Sequence, residues 1–222
     1  MAKKRRPRRR SNPLKTIVVV CLLLGLCCFG IIRYLERPQD NWQLTVVNEW
    51  NELPENFSVE LTELSNGQKV DSRIYPALQE MFDAARADGI YPFVREGYRT
   101  AQDQQDILDE RIQEYLDAGY SREEAESAAK DWVALPGTSE HQLGLAVDIN
   151  ADADLCSNDA VFAWLADNAY AYGFILRYPE GKEEITGISF EPWHYRYVGI
   201  EAAREIYEQG ICLEEYIQLK DS

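Results

Sequence analysis

The chain contains two histidines, His141 and His194, and each lies in a short polar motif. Asp148 follows His141 after seven residues, and Glu191 precedes His194 by three. A catalytic zinc site takes three protein ligands from imidazole, carboxylate or thiolate groups and keeps one position open for water. His141, Asp148 and His194 would supply two nitrogens and one oxygen, so these three residues are the candidate zinc ligands.

Glu191 is the candidate general acid/base of such a site. Pro192 can bend the backbone between Glu191 and His194, so that the carboxylate stands beside the metal without binding it. Zinc lowers the pKa of its coordinated water toward about 7. A neighbouring carboxylate can take a proton during attack on a carbonyl and return it to the leaving amine. This pattern indicates peptide hydrolysis.

Each of these residues also has a structural interpretation. A His beside an Asp is commonly a hydrogen-bonded pair, Asp148 could cap a turn, and Glu191 could pair with a surface Arg. The joint occurrence of both histidines with an Asp and a Glu in two polar motifs favours the metal site. Spacing alone leaves both interpretations open.

Two strands are predicted to carry the site. From Leu143 the hydrophobic pattern has period two, which puts Asp148 and small residues on one face and bulky aliphatic residues on the other. His141 would lie in the loop that enters this strand. The segment Ile188 to Tyr197 is predicted as a neighbouring strand, which brings His194 toward the same point.

The remaining pattern interleaves helices and strands without a regular βαβ rhythm. Helices are predicted at 75–88, from Thr100, from Ser121 to about Val133, at 161–172 and, as the final element, at 200–209; short strands are predicted at 42–47, 57–64, 91–95 and 174–178. The predicted class is α+β with a mainly antiparallel sheet.

The N-terminus predicts a membrane anchor. Residues 1–37 hold ten of the 23 Lys and Arg residues, and an uncharged run extends from Thr16 to Ile32. A membrane helix needs about 17 residues or more, and the basic side stays cytoplasmic. We therefore predict four regions, with the last one outside the cell: a basic cytoplasmic tail at 1–15, a transmembrane helix at 16–32, a linker at 33–71 and the zinc domain at 72–222. A cleaved signal peptide is the alternative.

The chain after Arg37 is strongly acidic, with 13 basic and 37 acidic residues and a formal charge of −24. Nucleic-acid binding depends on Lys and Arg that neutralise phosphates, so this composition argues against a nucleic-acid partner. Only Cys156 and Cys212 lie beyond the apolar run. They are compatible with one disulfide in an oxidising compartment or with two separate thiols.

The two polar motifs resemble those of the VanY-type zinc D-alanyl-D-alanine carboxypeptidases. The resemblance rests on the run 139–148, SEHQLGLAVD, and on the run 191–199, EPWHYRYVG, the second of which is similar to the branch that includes L,D-carboxypeptidases. Matching segments begin at the run 97–100, GYRT, and cover more than half of the chain. The resemblance implies a hedgehog- and D,D-peptidase-like fold, in which helices flank a small antiparallel sheet.

The resemblance also implies roles for individual residues. Zinc would bind to His141, Asp148 and His194, with Glu191 as general acid/base. Arg99 would point into the pocket, where a guanidinium can steady an oxyanion or hold a substrate carboxylate. Gln104 and Ser139 would contact substrate, although a solvated helix Gln and a loop hydroxyl are the structural interpretations. Glu96 stands where the family often has Ser, and an acid there could oppose an anionic substrate terminus.

These observations predict a zinc carboxypeptidase that removes a terminal D-alanine from peptidoglycan stem peptides, with D,D or L,D specificity left open. A peptidoglycan endopeptidase of the same fold is the first alternative. A wall-binding domain that has lost catalysis is less favoured, because all three ligand positions and the acid/base position are occupied. A calcium-binding or adhesive acidic surface has only composition in its favour.

Overall fold

The computed structural model describes residues 41–220, and the chain from Trp42 onward forms one compact unit. Its strands are β1 (Leu61–Glu63), β2 (Lys69–Asp71), β3 (Pro92–Glu96), β4 (Ala146–Ala151), β5 (Phe174–Leu176) and β6 (His194–Tyr197). Its α-helices are α1 (Tyr75–Ala87), α2 (Ala101–Asp117), α3 (Arg122–Lys130), α4 (Asn158–Asn168), α5 (Glu183–Thr186), α6 (Ile200–Gln209) and α7 (Leu213–Lys220). Short 3-10 helices span Trp42–Leu44, Glu140–Leu143 and Ala169–Tyr172.

The main sheet has four antiparallel strands in the order β3-β4-β6-β5. Strand β4 is central, and Leu145, Val147 and Ile149 are all buried in the largest hydrophobic cluster. The predicted period-two pattern is therefore confirmed, and so is the α+β class with an antiparallel sheet. Burial of this one face fixes which residues of β4 point away from the core.

A small second sheet, β1 paired with β2, lies against the end of β3. The contact is made at Gly97, where a Cβ atom would overlap the carbonyl oxygen of Lys69. The backbone N–H of Tyr98 donates to that same carbonyl at 2.6 Å. Only a glycine permits this close approach of two backbones.

The two helices predicted to start at Thr100 and Ser121 begin there with capping boxes. The Thr100 hydroxyl accepts from the backbone N–H of Asp103, and the Asp103 carboxylate accepts from the backbone of Thr100. Ser121 and Glu124 make the same reciprocal pair at the start of α3. Each box satisfies two backbone donors that the first helical turn leaves without partners.

Three secondary-structure predictions are wrong. The predicted strand at 42–47 is a 3-10 helix, and the predicted strand at 188–197 is extended only over β6. A turn precedes β6, because Pro192 lacks an N–H for pairing and the His194 N–H donates back to the Glu191 carbonyl. Helix α6 is also not the final element, since α7 follows it after Gly210.

The predicted basic tail and transmembrane helix lie outside the described residues. Over residues 41–220, none of the helices has the length and apolar character that crossing a bilayer requires. The part of the predicted linker from Trp42 onward packs on the domain and contributes Val47 and Val70 to the core. Cys156 and Cys212 are both free thiols.

Candidate metal centre

Three elements bring the candidate ligands together. Asp148 on β4 and His194 on β6 are directly opposite each other in the antiparallel register. His141 lies on the 3-10 helix that precedes β4, and Gly144 ends that helix in the left-handed conformation, with φ of 72°. One ligand atom from each of the three residues lies within 4.8 Å of the others. The sequence-predicted trio therefore converges on one point.

The two histidines face Asp148 with different nitrogens. The Oδ1 atom of Asp148 lies 3.4 Å from His141 Nε2 and 3.0 Å from His194 Nδ1. The other nitrogen of His141, Nδ1, lies 2.7 Å from the Gly97 carbonyl oxygen and donates to it. That hydrogen bond selects the tautomer in which Nε2 carries the free lone pair, as metal-bound histidines require.

The Oδ1 atom of Asp148 provides a test of whether a cation fits here. It is buried and accepts no hydrogen bond from the described residues, although two ring nitrogens are close to it. Buried carboxylate oxygens ordinarily have a partner. Two imidazole nitrogens and one carboxylate oxygen are the donor set that catalytic zinc takes in hydrolases. The residues therefore fit a zinc ion, with Asp148 Oδ1 as the oxygen ligand.

The protonation states also suit a metal. Burial alone would raise the pKa of Asp148, but the adjacent imidazoles of His141 and His194 outweigh it and hold that pKa well below its usual range. Burial lowers the pKa of His194. A metal needs an ionised carboxylate and a neutral imidazole as ligands. Both groups are thus held in the form that binds.

Glu191 lies beside the trio without belonging to it. Its Oε2 atom is 3.5 Å from His194 Nδ1, and 8% of the residue is exposed. Burial, followed by the charge of Asp148, raises the pKa of Glu191 to about 8, while Arg99 and Arg111 act in the opposite direction. A carboxyl group with such a pKa can both accept and release a proton near neutral pH.

Arg99 lines the cleft of the metal centre, and its guanidinium has three protein acceptors. Nη2 donates to Asp148 Oδ2 at 3.1 Å, Nε donates to Glu96 Oε2 at 3.1 Å, and Nη1 donates to Gln104 Oε1 at 3.4 Å. Arg99 therefore holds the Asp148 oxygen that faces away from the histidines. Glu96 pairs with Arg99 in this arrangement.

Both predicted substrate-contacting residues, Gln104 and Ser139, line the cleft of the metal centre. Gln104 is only 1% exposed, and its amide spans from Arg99 to the Ala134 carbonyl, to which Nε2 donates at 2.8 Å. Ser139 lines the cleft beside His141, and its hydroxyl makes no capping hydrogen bond to the following 3-10 helix. Gln104 thus supports Arg99 at the wall of the cleft that Ser139 also lines.

The centre lies in a cleft of about 680 Å³. Its lining includes charged residues of α2, such as Glu110 and Arg111, and apolar residues such as Trp132 and Ile188. Tyr178 is a further residue of the site, to which the motifs gave no role. Its ring centroid lies 4.7 Å from that of His194. Its only signal in the sequence was its place beside Arg177 in a segment that matches the family.

Comparison with known proteins agrees with this geometry. The family described as VanY, D-alanyl-D-alanine carboxypeptidase, matches residues 67–200. A D-alanyl-D-alanine carboxypeptidase of Enterococcus faecalis is 58% identical over 179 residues, which cover 81% of this chain and 67% of the relative.

Solved structures give the same result. One is a mutant of the vancomycin-resistance D,D-pentapeptidase VanY from a VanB-type cassette, in complex with Zn(II). It is 60% identical to this chain with a TM-score of 0.78, and the match covers 79% of this chain and 99% of that structure's chain. VanYB in complex with D-alanine-D-alanine is 59% identical with a TM-score of 0.79, and the match covers 80% of this chain and 98% of the VanYB chain. The LdcB L,D-carboxypeptidase is 37% identical with a TM-score of 0.67, and the match covers 81% of this chain and 88% of the LdcB chain. The chain belongs to the VanY family of D-alanyl-D-alanine carboxypeptidases.

Proposed function

We propose that this chain is a zinc-dependent carboxypeptidase that removes the C-terminal D-alanine from peptidoglycan stem peptides. The observation that carries the proposal is the convergence of His141, Asp148 and His194 on one point, with the buried carboxyl group of Glu191 beside them. The solved relatives at 59–60% identity support it, since one contains Zn(II) and another D-alanine-D-alanine.

Glu191 is proposed to move the proton in this reaction. Zinc bound by the trio would supply a Lewis acid and lower the pKa of a coordinated water. The Glu191 carboxylate takes a proton from the attacking water and delivers it to the nitrogen of the departing D-alanine. Burial of Glu191 favours the protonated form of its carboxyl group, which is the form that must donate to the amine.

Arg99 and Ser139 are proposed to prepare the site for substrate. Arg99 keeps Asp148 Oδ2 engaged, which leaves Oδ1 for the metal, and its guanidinium adds positive charge where the scissile carbonyl develops negative charge. The Ser139 hydroxyl, on the cleft wall beside His141, is available to accept from or donate to the peptide.

Specificity for a D,D bond is proposed on the strength of the relatives. The two solved neighbours at 59–60% identity are VanY proteins, and one is described as a D,D-pentapeptidase. An L,D specificity is the second candidate, because the L,D-carboxypeptidase LdcB shares 37% identity and the same fold.

Digestion of purified stem peptides tests this proposal. The full-length chain with zinc should release one alanine from a pentapeptide that ends in D-alanyl-D-alanine, and should act much more slowly on the tetrapeptide, as measured by product mass. Activity should vanish with a chelator and return with added zinc. Faster loss of alanine from the tetrapeptide would establish L,D specificity, and cleavage inside the stem would establish an endopeptidase.

Glu191→Gln tests the proton-transfer role. General acid–base catalysis contributes about 10²- to 10⁴-fold, so kcat should fall by that factor. Zinc content should stay at one equivalent, because Glu191 is not among the three converging ligands. Glu183→Gln, on exposed helix α5, is the matched control and should keep full activity. Retention of wild-type kcat by the Glu191 variant would remove Glu191 from this role.

Arg99→Met tests whether Arg99 positions Asp148. Loss of a partner that orients a metal ligand typically weakens metal affinity about 10- to 100-fold, and we expect a loss in that range for zinc. Glu96→Gln keeps an acceptor for Arg99 Nε and should change zinc affinity little. If Arg99→Met keeps its zinc affinity and loses only kcat/KM, then Arg99 acts on the substrate and does not position the ligand.

We further propose that residues 16–32 anchor the chain in the membrane with the catalytic domain outside the cell. The support is the basic cluster before an uncharged run. The full-length chain should remain in washed membranes and be degraded by protease added to intact spheroplasts, whereas a chain that starts at residue 38 should not enter the membrane fraction. A secreted product that lacks the apolar run would identify a cleaved signal peptide.

A further inference from the structure

Four charged side chains form a buried ionic quartet behind the metal centre. They are Glu140, Arg177, Arg196 and Glu214. Glu140 Oε1 lies 2.8 Å from Arg177 Nε and 2.9 Å from Arg196 Nη1. Arg177 also donates Nη1 to Glu214 Oε2 at 2.9 Å and Nη2 to Glu214 Oε1 at 2.5 Å. The side chains of Glu140, Arg177 and Arg196 have no exposed surface, and two acids balance two bases.

The quartet touches the metal centre through adjacent backbone. Glu140 directly precedes His141 on the same 3-10 helix. Arg177 directly precedes Tyr178, whose ring packs on His194, and the Arg177 N–H donates to the His194 carbonyl at 3.1 Å. A displacement of either quartet residue would therefore be passed to a histidine ligand through one peptide unit.

The quartet also holds the two ends of the described domain. Glu214 lies on helix α7, and its Oε1 atom accepts from Asn48 Nδ2 at 3.1 Å. Arg196 Nη2 donates to the carbonyl oxygens of Gln43 and Thr45 at 3.0 and 2.8 Å. Segments near the beginning and the end of the described domain therefore both bind to side chains of the quartet.

Stability alone is a weak explanation for such a group. Desolvation of buried ions costs about as much as their attraction returns, and well-packed apolar side chains often replace them without loss. Removal of one member leaves an uncompensated charge, which the remaining members must move to accommodate. Such a rearrangement would bear on the geometry of the metal centre.

We propose that this quartet positions the metal centre, with Glu140 and Arg177 as positioning residues and α7 as a required part of the site through Glu214. The inference rests on the proposed function only in that the centre binds zinc. It predicts that a charge change on α7, in a helix that carries none of the zinc ligands, alters zinc affinity.

Adjacent glutamates on α7 provide the test. Glu214 binds Arg177 of the quartet, whereas Glu215 binds Lys182 and accepts from the Cys212 N–H, apart from the quartet. In the full-length chain purified in detergent, Glu214→Gln should weaken zinc binding about 10- to 100-fold in competition with a chromogenic chelator. Glu215→Gln should keep wild-type affinity, although both variants loosen α7.

Spectroscopy separates positioning from simple destabilisation. With Co(II) in place of zinc, Glu214→Gln should shift the visible absorption bands, while Glu215→Gln should leave them unchanged. Glu140→Gln should have a larger effect than Glu214→Gln, because Glu140 contacts both arginines. If Glu140→Gln does not fold, the comparison of Glu214→Gln with Glu215→Gln still tests the positioning role.

The possible outcomes distinguish this inference from the proposed function. Zinc affinity of Glu214→Gln within about twofold of wild type, with an unchanged Co(II) spectrum, overturns the positioning role and leaves the carboxypeptidase proposal intact. Equal losses in both α7 variants also overturn it, since they would report only on helix docking. If the wild-type chain takes up no zinc, both the inference and the proposed function fail.

Discussion

The pairing of Asp148 with His194 across β4 and β6 is the constraint on which the site depends. Directly opposite residues of an antiparallel pair have Cβ atoms about 4.5–5.5 Å apart, which is close enough for two side chains to share one ion. A slip of one residue would turn Asp148 into the hydrophobic core. Burial of Leu145, Val147 and Ile149 prevents that slip, so the core fixes the ligand geometry.

The sequence predicted well where one local pattern decides the structure. Period two predicted β4, Thr100 and Ser121 predicted the starts of α2 and α3, and the two motifs predicted the three converging residues. Prediction from the sequence failed where contacts between residues distant in the chain determine the structure. The segment 188–193 has strand-forming residues, but its backbone turns to bring Glu191 back beside His194. Helix α7 is held by buried Leu213 and Tyr216 and by Glu214, whose partner Arg177 lies far from it in the sequence.

The functional residues show the same division. The resemblance implies that Arg99 and Gln104 face substrate, and both residues line the cleft. It does not specify that Arg99 also donates to Asp148, Glu96 and Gln104. The protein partners of an arginine depend on neighbours that no motif specifies. Two carboxyl groups in one cleft are likewise told apart only by their surroundings: imidazoles lower the pKa of Asp148, while burial raises that of Glu191.

The ionic quartet extends this argument from the ligands to the whole domain. A zinc ion that binds only the folded chain stabilises it, and any contact that favours the ligand geometry shares in that coupling. Coupling between two sites is reciprocal in free energy. If Glu214 on α7 strengthens zinc binding through Arg177, zinc must strengthen the docking of α7 by the same amount. The end of the domain and the metal centre would then form one thermodynamic unit.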